Sequence, residues 1–313
     1  MIPAGPHEPP SRVALLDVGT NTASLSVLFA DDLDRRRLRL AEDLHVITGL
    51  GRHRDPDGSL SEEGQRRAHV ALGHFAGRLD TLGVSPDAVL GAATSATREA
   101  PNGRDFLDQV AERWGLRPAV IDGEEEAELV ALAQERSFRR HLPLLVLDIG
   151  GGSTEMALRG RGRSDWAVSL PVGSVKLAER CGSDVEALDA AVAEALQEAP
   201  VVRERPTLVG VAGTVTTSLQ VARGMATWDP EEVQGARMTR QEVDETRARL
   251  AALSPEERAR VPGLHPGRAD LIVAGMSLLL GVMDRIDAPD LLVSDRGVRF
   301  GLLWRRWPLA AVP

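Results

Sequence analysis

The sequence predicts an α/β protein built from two similar domains with a cleft between them. Apolar, β-prone runs alternate with helical patterns along the chain, as expected for sheets flanked by helices. Two segments, ALLDVGTN at 14–21 and LVLDIGGG at 145–152, share the order apolar strand, Asp, small apolar residue, Gly, and they lie 131 residues apart. This interval is about one domain length, so it indicates an internal repeat of domains. A cleft between two domains is a preferred place for a ligand.

The first half of the chain predicts three strands, followed by strands that alternate with helices. The stretch 13–30 gives two strands around a tight turn at Gly19–Asn21, and 38–47 gives a third. Ser61 begins a helix with apolar residues at helical spacing, 87–92 is a short buried strand, and the polar stretch 94–103 is interpreted as a loop. Asn102 caps a second helix whose core face includes Trp114. A strand at 118–121 and a helix from about Glu124 complete this half.

The second half repeats this order. A strand ends in Asp148, a glycine turn leads to a second strand through Met156, and a third strand lies near 166–172. A helix from about Asp184, a strand at 207–211, a loop at 212–214 and further helices follow. We therefore predict domains at 11–126 and 127–313, and we expect the last helix, about 297–308, to pack back on the first domain.

Composition narrows the class of protein. The 313 residues carry a net charge of −9, which argues against nucleic acid as a partner. The longest apolar candidate, at 271–283, is too short to span a membrane, and the first residues resemble no export signal. One cysteine, Cys181, excludes an internal disulfide and suits a cytoplasmic protein. Lys176, the only lysine, lies outside any GxxxxGK pattern, which excludes a P-loop.

The most informative stretch is LLVLDIGGGSTEMAL at 144–158. An apolar strand ends in Asp148, three glycines follow, and Ser153 and Thr154 add hydroxyl groups before Glu155. Glycines allow positive φ and let backbone N–H groups approach a ligand closely, which suits a loop that holds phosphate oxygens. Asp148 and Glu155 would then be oxygen ligands for a divalent cation. A turn that simply joins two strands of a hairpin explains the same letters, and this stretch alone leaves both interpretations open.

Eight motifs in one order resemble the exopolyphosphatase and guanosine pentaphosphate phosphatase family, part of the actin, Hsp70 and sugar kinase superfamily. They extend from about residue 13 to 303: DVGTNT at 17–22, GAATSATREAPNG at 91–103, GEEEA at 123–127, DIGGGSTE at 148–155, LPVGSVKLAE at 170–179, GVAGTVTT at 210–217, GRAD at 267–270 and SDRGVRFGLL at 294–303. The resemblance implies two actin-like (ribonuclease H-like) α/β domains. It also implies a cytoplasmic enzyme whose substrate is inorganic polyphosphate or guanosine pentaphosphate. A homodimer is compatible with the resemblance.

The resemblance further implies roles for particular residues. Glu126 would be the catalytic general base, and Asp148 and Glu155 would hold Mg²⁺ or another divalent cation. The implied phosphate-binding residues are Asp17, Gly19, Thr20, Asn21, Arg98, Gly150, Gly151, Gly152, Ser153, Gly213 and Thr214. Glutamates are common in the first turn of any helix, but three adjacent carboxylates repel, which raises a pKa toward the range that a base needs.

Three positions depart from the family's pattern. Ser24 stands where the family often carries a basic residue, Gly49 where it usually has an arginine, and Phe300 where it usually has a glutamate. The chain also stops soon after its second actin-like domain, from which we expect shorter polyphosphates, or a nucleotide, to be handled better than very long polymers. Two other classes of function stay in play: a phosphotransferase, and a non-catalytic protein that senses polyphosphate or an alarmone.

Overall fold

The structure, a computed structural model, describes residues 8–160, 164–203 and 205–312. Its first half contains five strands, β1 (Arg12–Val18), β2 (Thr22–Ala30), β3 (Leu38–Ile47), β4 (Val89–Ala93) and β5 (Ala119–Val120). The helices of this half are α1 (Glu62–Thr81), α2 (Ser95–Glu99), α3 (Gly103–Trp114) and α4 (Gly123–Ser137).

The second half contains the strands β6 (Leu144–Ile149), β7 (Thr154–Arg159), β8 (Ser164–Leu170), β9 (Thr207–Val211), β10 (Arg237–Thr239) and β11 (Asp290–Val293). Its helices are α5 (Ser174–Cys181), α6 (Val185–Ala195), α7 (Ala212–Arg223), α8 (Pro230–Val233), α9 (Arg240–Ala251), α10 (Pro255–Arg258), α11 (Ile272–Arg285) and α12 (Val298–Arg306). None of the helices in the described part of the chain combines the length and the apolar character that crossing a membrane requires.

The chain folds into two compact units. Unit 1 contains the residues up to Ala133 together with those from Val298 onward, and unit 2 runs from Gln134 to Gly297. The sequence predicts a boundary after residue 126, whereas the division falls after Ala133; both positions lie within α4. Helix α12 belongs to unit 1, although it follows unit 2 in the sequence.

The two sheets share one strand order. In unit 1 the order is β3-β2-β1-β4-β5, with β1–β2 and β2–β3 antiparallel and β1–β4 and β4–β5 parallel. In unit 2 the order is β10-β11-β9-β6-β7-β8, and the series from β8 to β11 repeats the same directions. The antiparallel strand β10 is an addition at one edge. The repeat that the sequence indicates is therefore a repeat of sheet topology.

Alternation along β1 builds two apolar layers in unit 1. Ala14, Leu16 and Val18 face a core completed by helices α1 and α3. Val13 and Leu15 face the other way, into a cluster that includes Leu303 and Trp304 of α12. Because both faces of β1 are covered, the four residues from Val13 to Leu16 are buried, and only the first residue of the strand, Arg12, is exposed.

Two predicted loops are helical in the structure, so those predictions are wrong. The stretch 94–103 contains α2, and the predicted loop 212–214 is the first turn of α7. The polar side chains of the stretch 94–103 make local hydrogen bonds. The Thr97 hydroxyl donates to the Thr94 carbonyl oxygen, and the Ser95 hydroxyl donates to the Glu99 carboxylate. Helix α5 was not predicted either.

Two side chains in α3 also differ from expectation. Trp114 is 38% exposed and does not face the core. Asn102 occupies the position before the first turn, but its side chain bonds the backbone of Leu60 at 2.8 and 3.0 Å and makes no cap bond. A tertiary contact over forty residues has replaced the local cap.

We expect opposite effects when alanine replaces two helical glycines of unit 1. A Cβ at Gly301 in α12 would lie 2.2 Å from the Leu129 carbonyl oxygen of α4, whereas a Cβ at Gly77 in α1 would meet nothing within 4 Å. Gly301→Ala should destabilise the protein by about 1–3 kcal/mol through overpacking. Gly77→Ala should stabilise it by about 0.5–1 kcal/mol, since alanine favours the helix. The free energy of unfolding of both variants is measured by urea denaturation. Equal changes in the two variants would contradict the close packing of α12 on α4.

Candidate functional site

The implied site residues of unit 1 follow three neighbouring strands. Asp17 lies in β1 just before its end, Arg98 lies in α2 after β4, and Glu126 lies in α4 after β5. These three strands run parallel, so their carboxyl ends share one edge of the sheet. The Thr94 N–H donates to the Val18 carbonyl oxygen at 3.2 Å, which joins the start of α2 to the end of β1. Such an edge is a usual place for a ligand in α/β proteins.

Asp17 has one carboxylate oxygen that is buried in the protein. It pairs with Ser24 across the β1–β2 hairpin, and its Oδ1 atom is buried without a hydrogen-bond partner. Burial raises the pKa of Asp17 to about 6, although the positive charge of Arg299 pulls it down. A buried oxygen of this kind suits a partner supplied by a ligand.

A polar network lies beside Asp17 on the same sheet face. Ser24 lies opposite His45 and Ser26 opposite Asp43 in the β2–β3 pairing. Ser24 Oγ and His45 Nδ1 are 3.0 Å apart, and His45 Nε2 and Asp43 Oδ2 are also 3.0 Å apart. Arg299 of α12 donates to Asp43 Oδ1 at 2.6 Å and to Ser26 Oγ.

Asp43 is the stable anion of this network. Burial opposes its ionisation, but the charge of Arg299 and the hydrogen bond with His45 outweigh burial and hold the pKa of Asp43 well below its usual range. Ser24 is thus part of a hydrogen-bonded chain that reaches Arg299. Sequence reasoning gave neither Arg299 nor His45 a role.

Glu126 and Arg98 are in direct contact. Glu126 is 8% exposed, in the first turn of α4, and its Oε2 lies 3.3 Å from Arg98 Nη1. The same Arg98 nitrogen donates to the Ile121 carbonyl oxygen at 2.9 Å. Glu126 therefore lies within ion-pair distance of a guanidinium, and an ionised carboxylate is the form that accepts a proton.

The three glutamates of the GEEEA motif have different surroundings. Glu124 is exposed, Glu125 Oε1 accepts a hydrogen bond from Arg305 Nη1 of α12 at 2.5 Å, and Glu126 faces Arg98. Successive helical residues point about 100° apart, so neighbours in sequence need not share a site. The sequence suggests repulsion among these three carboxylates. An arginine beside Glu125 and another beside Glu126 offset this repulsion.

In unit 2, Asp148 and Glu155 are direct partners across the β6–β7 hairpin. Both are buried, at 9% and 2% exposure. Ser169 of β8 donates to Glu155 Oε1 at 2.6 Å and orients this carboxylate. The glycine turn therefore does join a hairpin, as the simpler interpretation has it, and it places two carboxylates side by side.

The glycine turn is held against the start of α5. Gly150 O accepts hydrogen bonds from the backbone and the hydroxyl of Ser174, at 3.0 and 3.2 Å, and Gly151 O accepts from Val175 N at 2.9 Å. The φ of Gly150 lies outside the left-handed region, so the positive φ that glycine allows is not used at this position. A Cβ at Gly173 would lie 2.5 Å from Gly151 O, so glycine is required there by close packing.

Gly213 and Thr214 lie in the first turn of α7, directly after β9, and not in the predicted loop. The preceding Ala212 has φ +65°, a strained conformation that makes the strand-to-helix turn sharp. A Cβ at Gly213 would lie 1.9 Å from Arg268 Nη1, so the guanidinium of Arg268 covers this turn. Sequence reasoning assigned Arg268 no role, although it lies in the GRAD motif.

The structure thus gathers the implied residues into one group in each unit. Unit 1 holds Asp17, the 19–21 turn, Arg98 and Glu126 at the carboxyl ends of β1, β4 and β5. Unit 2 holds Asp148, Glu155, the turn 150–153, and Gly213 with Thr214 at the ends of β6 and β9.

The donor set in unit 2 fits a magnesium ion that also binds substrate. Among residues 8–160, 164–203 and 205–312 there is no cluster of three or more His, Cys, Asp or Glu side chains that could hold a metal. Mg²⁺ is commonly held by one or two carboxylates, waters and substrate phosphates, without a full protein cage. The paired Asp148 and Glu155 match that arrangement.

We expect Asp17→Asn to stabilise the protein at neutral pH. The folded pKa of Asp17 is about 6 against a usual 3.8, so stability is greatest below pH 4 and is lost as pH rises through about 6. This loss amounts to roughly 3 kcal/mol, and the neutral amide avoids it. Urea unfolding at pH 4.5 and 7.5 in EDTA measures it, with the exposed Asp32→Asn as control. An equal gain at both pH values would contradict the buried charge.

Comparisons of the sequence with known proteins find relatives over most of the chain. The sequence profile of the Ppx/GppA phosphatase family matches residues 34–309. The chain is 32% identical over 324 residues to exopolyphosphatase 2 of Mycobacterium tuberculosis, covering 93% of this chain and 97% of the relative. It is 25% identical to a bifunctional 3-dehydroquinate synthase/phosphatase of Fusobacterium nucleatum, and there the match covers 93% of this chain but spans only 46% of the relative.

Solved structures are similar over almost the whole chain. An exopolyphosphatase from Cytophaga hutchinsonii superposes with a TM-score of 0.83 at 26% identity, covering 96% of this chain and 99% of the other. The Ppx/GppA enzyme of Aquifex aeolicus gives a TM-score of 0.76 at 28% identity, covering 93% and 98%. The chain belongs to the Ppx/GppA phosphatase family and has its two-domain, actin-like α/β fold.

Proposed function

We propose that this member of a phosphatase family is a hydrolase of phosphoric anhydrides that releases terminal phosphate from inorganic polyphosphate, with Glu126 as general base and Mg²⁺ as cofactor. The family match and the similarity to a protein named exopolyphosphatase 2 support the reaction class and the polymer as substrate. The observation that carries the assignment of the base is the contact between Glu126 and Arg98.

The proposal gives the two partners of this ion pair complementary tasks. Arg98 binds a phosphate oxygen of the substrate, because a guanidinium is a strong donor to phosphate. Glu126 accepts a proton from the water that attacks the terminal phosphorus. A substrate phosphate competes with Glu126 for Arg98, so binding frees the carboxylate to face the water. The 8% exposure of Glu126 limits competing contact with bulk solvent.

The residues of unit 2 compensate the negative charge of the substrate phosphates and orient these phosphates. Asp148 and Glu155 hold Mg²⁺, which neutralises charge on the phosphates when bound. Backbone N–H groups of Gly151, Gly152 and Ser153 and of the first turn of α7 donate to phosphate oxygens, with Ser153 and Thr214 adding hydroxyl groups. Gly173, packed against Gly151, keeps the turn in place.

Guanosine pentaphosphate is the second candidate substrate, because it offers a terminal phosphate of the same chemistry. A phosphotransferase would use the same glycine turns but needs an acceptor other than water. A sensor would need no base. The buried, arginine-paired Glu126 together with the carboxylate pair Asp148–Glu155 favours hydrolysis over both.

We expect Glu126→Gln to lower the rate of phosphate release at least about 100-fold, since glutamine cannot accept the proton. Purified protein with Mg²⁺ is given a short polyphosphate or guanosine pentaphosphate, and free phosphate is measured. Glu124→Gln is the matched control, because it removes the same charge from an exposed position two residues earlier.

The two substrates separate the alternatives in the same experiment. Release from only one identifies the substrate. Equal rates for the Glu126 and Glu124 variants would contradict the general-base role. Binding of either compound without release by the wild type would favour the sensor, and turnover that depends on ADP would favour the phosphotransferase.

We expect Asp148→Asn to raise the Mg²⁺ concentration needed for half-maximal rate by about tenfold or more, because one negative ligand is lost. Asp165→Asn, on the exposed part of β8, is the control for charge in unit 2. An unchanged magnesium requirement in the Asp148 variant would contradict its role as a ligand.

A further inference from the structure

We propose that Arg52 is a phosphate-binding and positioning residue: it orients the Asn21 side-chain amide and supplies positive charge at the unit 1 site. The ligand class is a phosphoanhydride chain, either inorganic polyphosphate or the polyphosphate part of a nucleotide. This inference rests on the proposed function, and it names a residue of the loop 48–54 that lies outside every motif used to predict the site.

The contact between Arg52 and Asn21 sets the direction of the amide. Arg52 Nε donates to Asn21 Oδ1 at 2.8 Å. A guanidinium has no acceptor, so the atom that faces it must be the carbonyl oxygen. The Nδ2 group then points away from Arg52, with two protons to donate to a phosphate oxygen. Asn21 is 7% exposed, and a misdirected buried amide would present an acceptor to the anion instead.

The loop 48–54 is docked rigidly on the 19–21 turn. The backbone N–H groups of Thr48 and Gly49 both donate to Asn21 O at 3.0 Å, and Gly51 N donates to Thr20 O at 2.8 Å. A Cβ at Gly51 would lie 2.6 Å from Thr20 Cγ2, so the two segments are in close contact. A side chain carried on such a loop is preorganised, which lowers the entropic cost of binding.

Gly49 makes room for Arg52. Its φ is +57°, and a Cβ there would lie 3.0 Å from Arg52 Cδ and 3.3 Å from Arg67 Nη2. A side chain at position 49 would therefore displace Arg52 from its place over the turn.

Arg54 provides a matched comparison on the same loop. Its guanidinium lies 3.5 Å from Glu99 Oε2 and 3.4 Å from the Ala96 carbonyl oxygen, so its charge is directed at α2 and is opposed by a carboxylate. Arg52 Nε donates to the Asn21 side-chain oxygen at the 19–21 turn. Removal of either arginine costs one positive charge in the loop, but only Arg52 orients Asn21.

The test measures both binding and catalysis. Tripolyphosphate binding in EDTA is measured by calorimetry, which needs neither metal nor turnover, and phosphate release with Mg²⁺ is measured in parallel for tripolyphosphate and guanosine pentaphosphate. We expect Arg52→Gln to weaken binding and raise KM by about tenfold or more, with kcat changed less than about threefold. Arg52→Lys should recover part of the loss, and Arg54→Gln should stay within about threefold of the wild type.

A double-mutant cycle tests the positioning role. If Arg52 acts partly through Asn21, the double variant Arg52→Gln/Asn21→Ala should lose clearly less than the product of the two single losses. The inference is overturned if Arg52→Gln behaves like Arg54→Gln in binding, or if the wild type binds no tripolyphosphate. Binding that depends on Arg52 without any hydrolysis would keep this inference and sink the proposed enzyme. An effect seen with the nucleotide alone would assign Arg52 to nucleotide phosphates.

Discussion

The arrangement on which the rest of this structure depends is a hairpin whose first strand is buried on both faces and has an aspartate as its second-to-last residue. It occurs once in each unit, as β1–β2 with Asp17 and as β6–β7 with Asp148. Parallel neighbours end beside each aspartate, so loops and helix starts converge on it. A carboxylate at such a position cannot be hydrated like a surface group, and it has to be compensated by cations, hydrogen bonds or ligand.

In unit 1 the compensation comes mostly from one helix. Arg299 of α12 forms an ion pair with Asp43, bonds to Ser26 and lowers the cost of charge on Asp17, while Leu303 and Trp304 of the same helix pack on the sheet. The segment that returns from beyond unit 2 is therefore part of the electrostatics of the site as well as of the core. Half-buried charges of this kind stabilise a fold only when they are paired, and here the pairing residue comes from 256 positions away in the chain.

The sequence predicted most strands of both sheets and the helices that pack against them, because long apolar patterns leave few alternatives. Its errors lie where short segments obey tertiary contacts. Residues 94–103 look like a polar loop, but docking of Thr94 on the end of β1 starts a helix there. Asn102 looks like a helix cap, yet its amide pairs with the backbone of Leu60. The site motifs were recognisable because their residue types are special, whereas Arg52, Arg268 and Arg299 are ordinary arginines in sequence.

The sequence by itself determined the α/β class, the duplicated Asp-Gly hairpins and the identity of the carboxylates and glycine turns, since period, turn chemistry and residue type are local properties. Only the tertiary structure decided which arginine meets which acid: Arg98 with Glu126, Arg305 with Glu125, Arg299 with Asp43, and Arg52 with the Asn21 amide. The physical reason is that an ion pair or an oriented amide depends on distances of about 3 Å between elements far apart in the chain. Those distances are set by sheet register, helix packing and loop docking, and no local pattern records them.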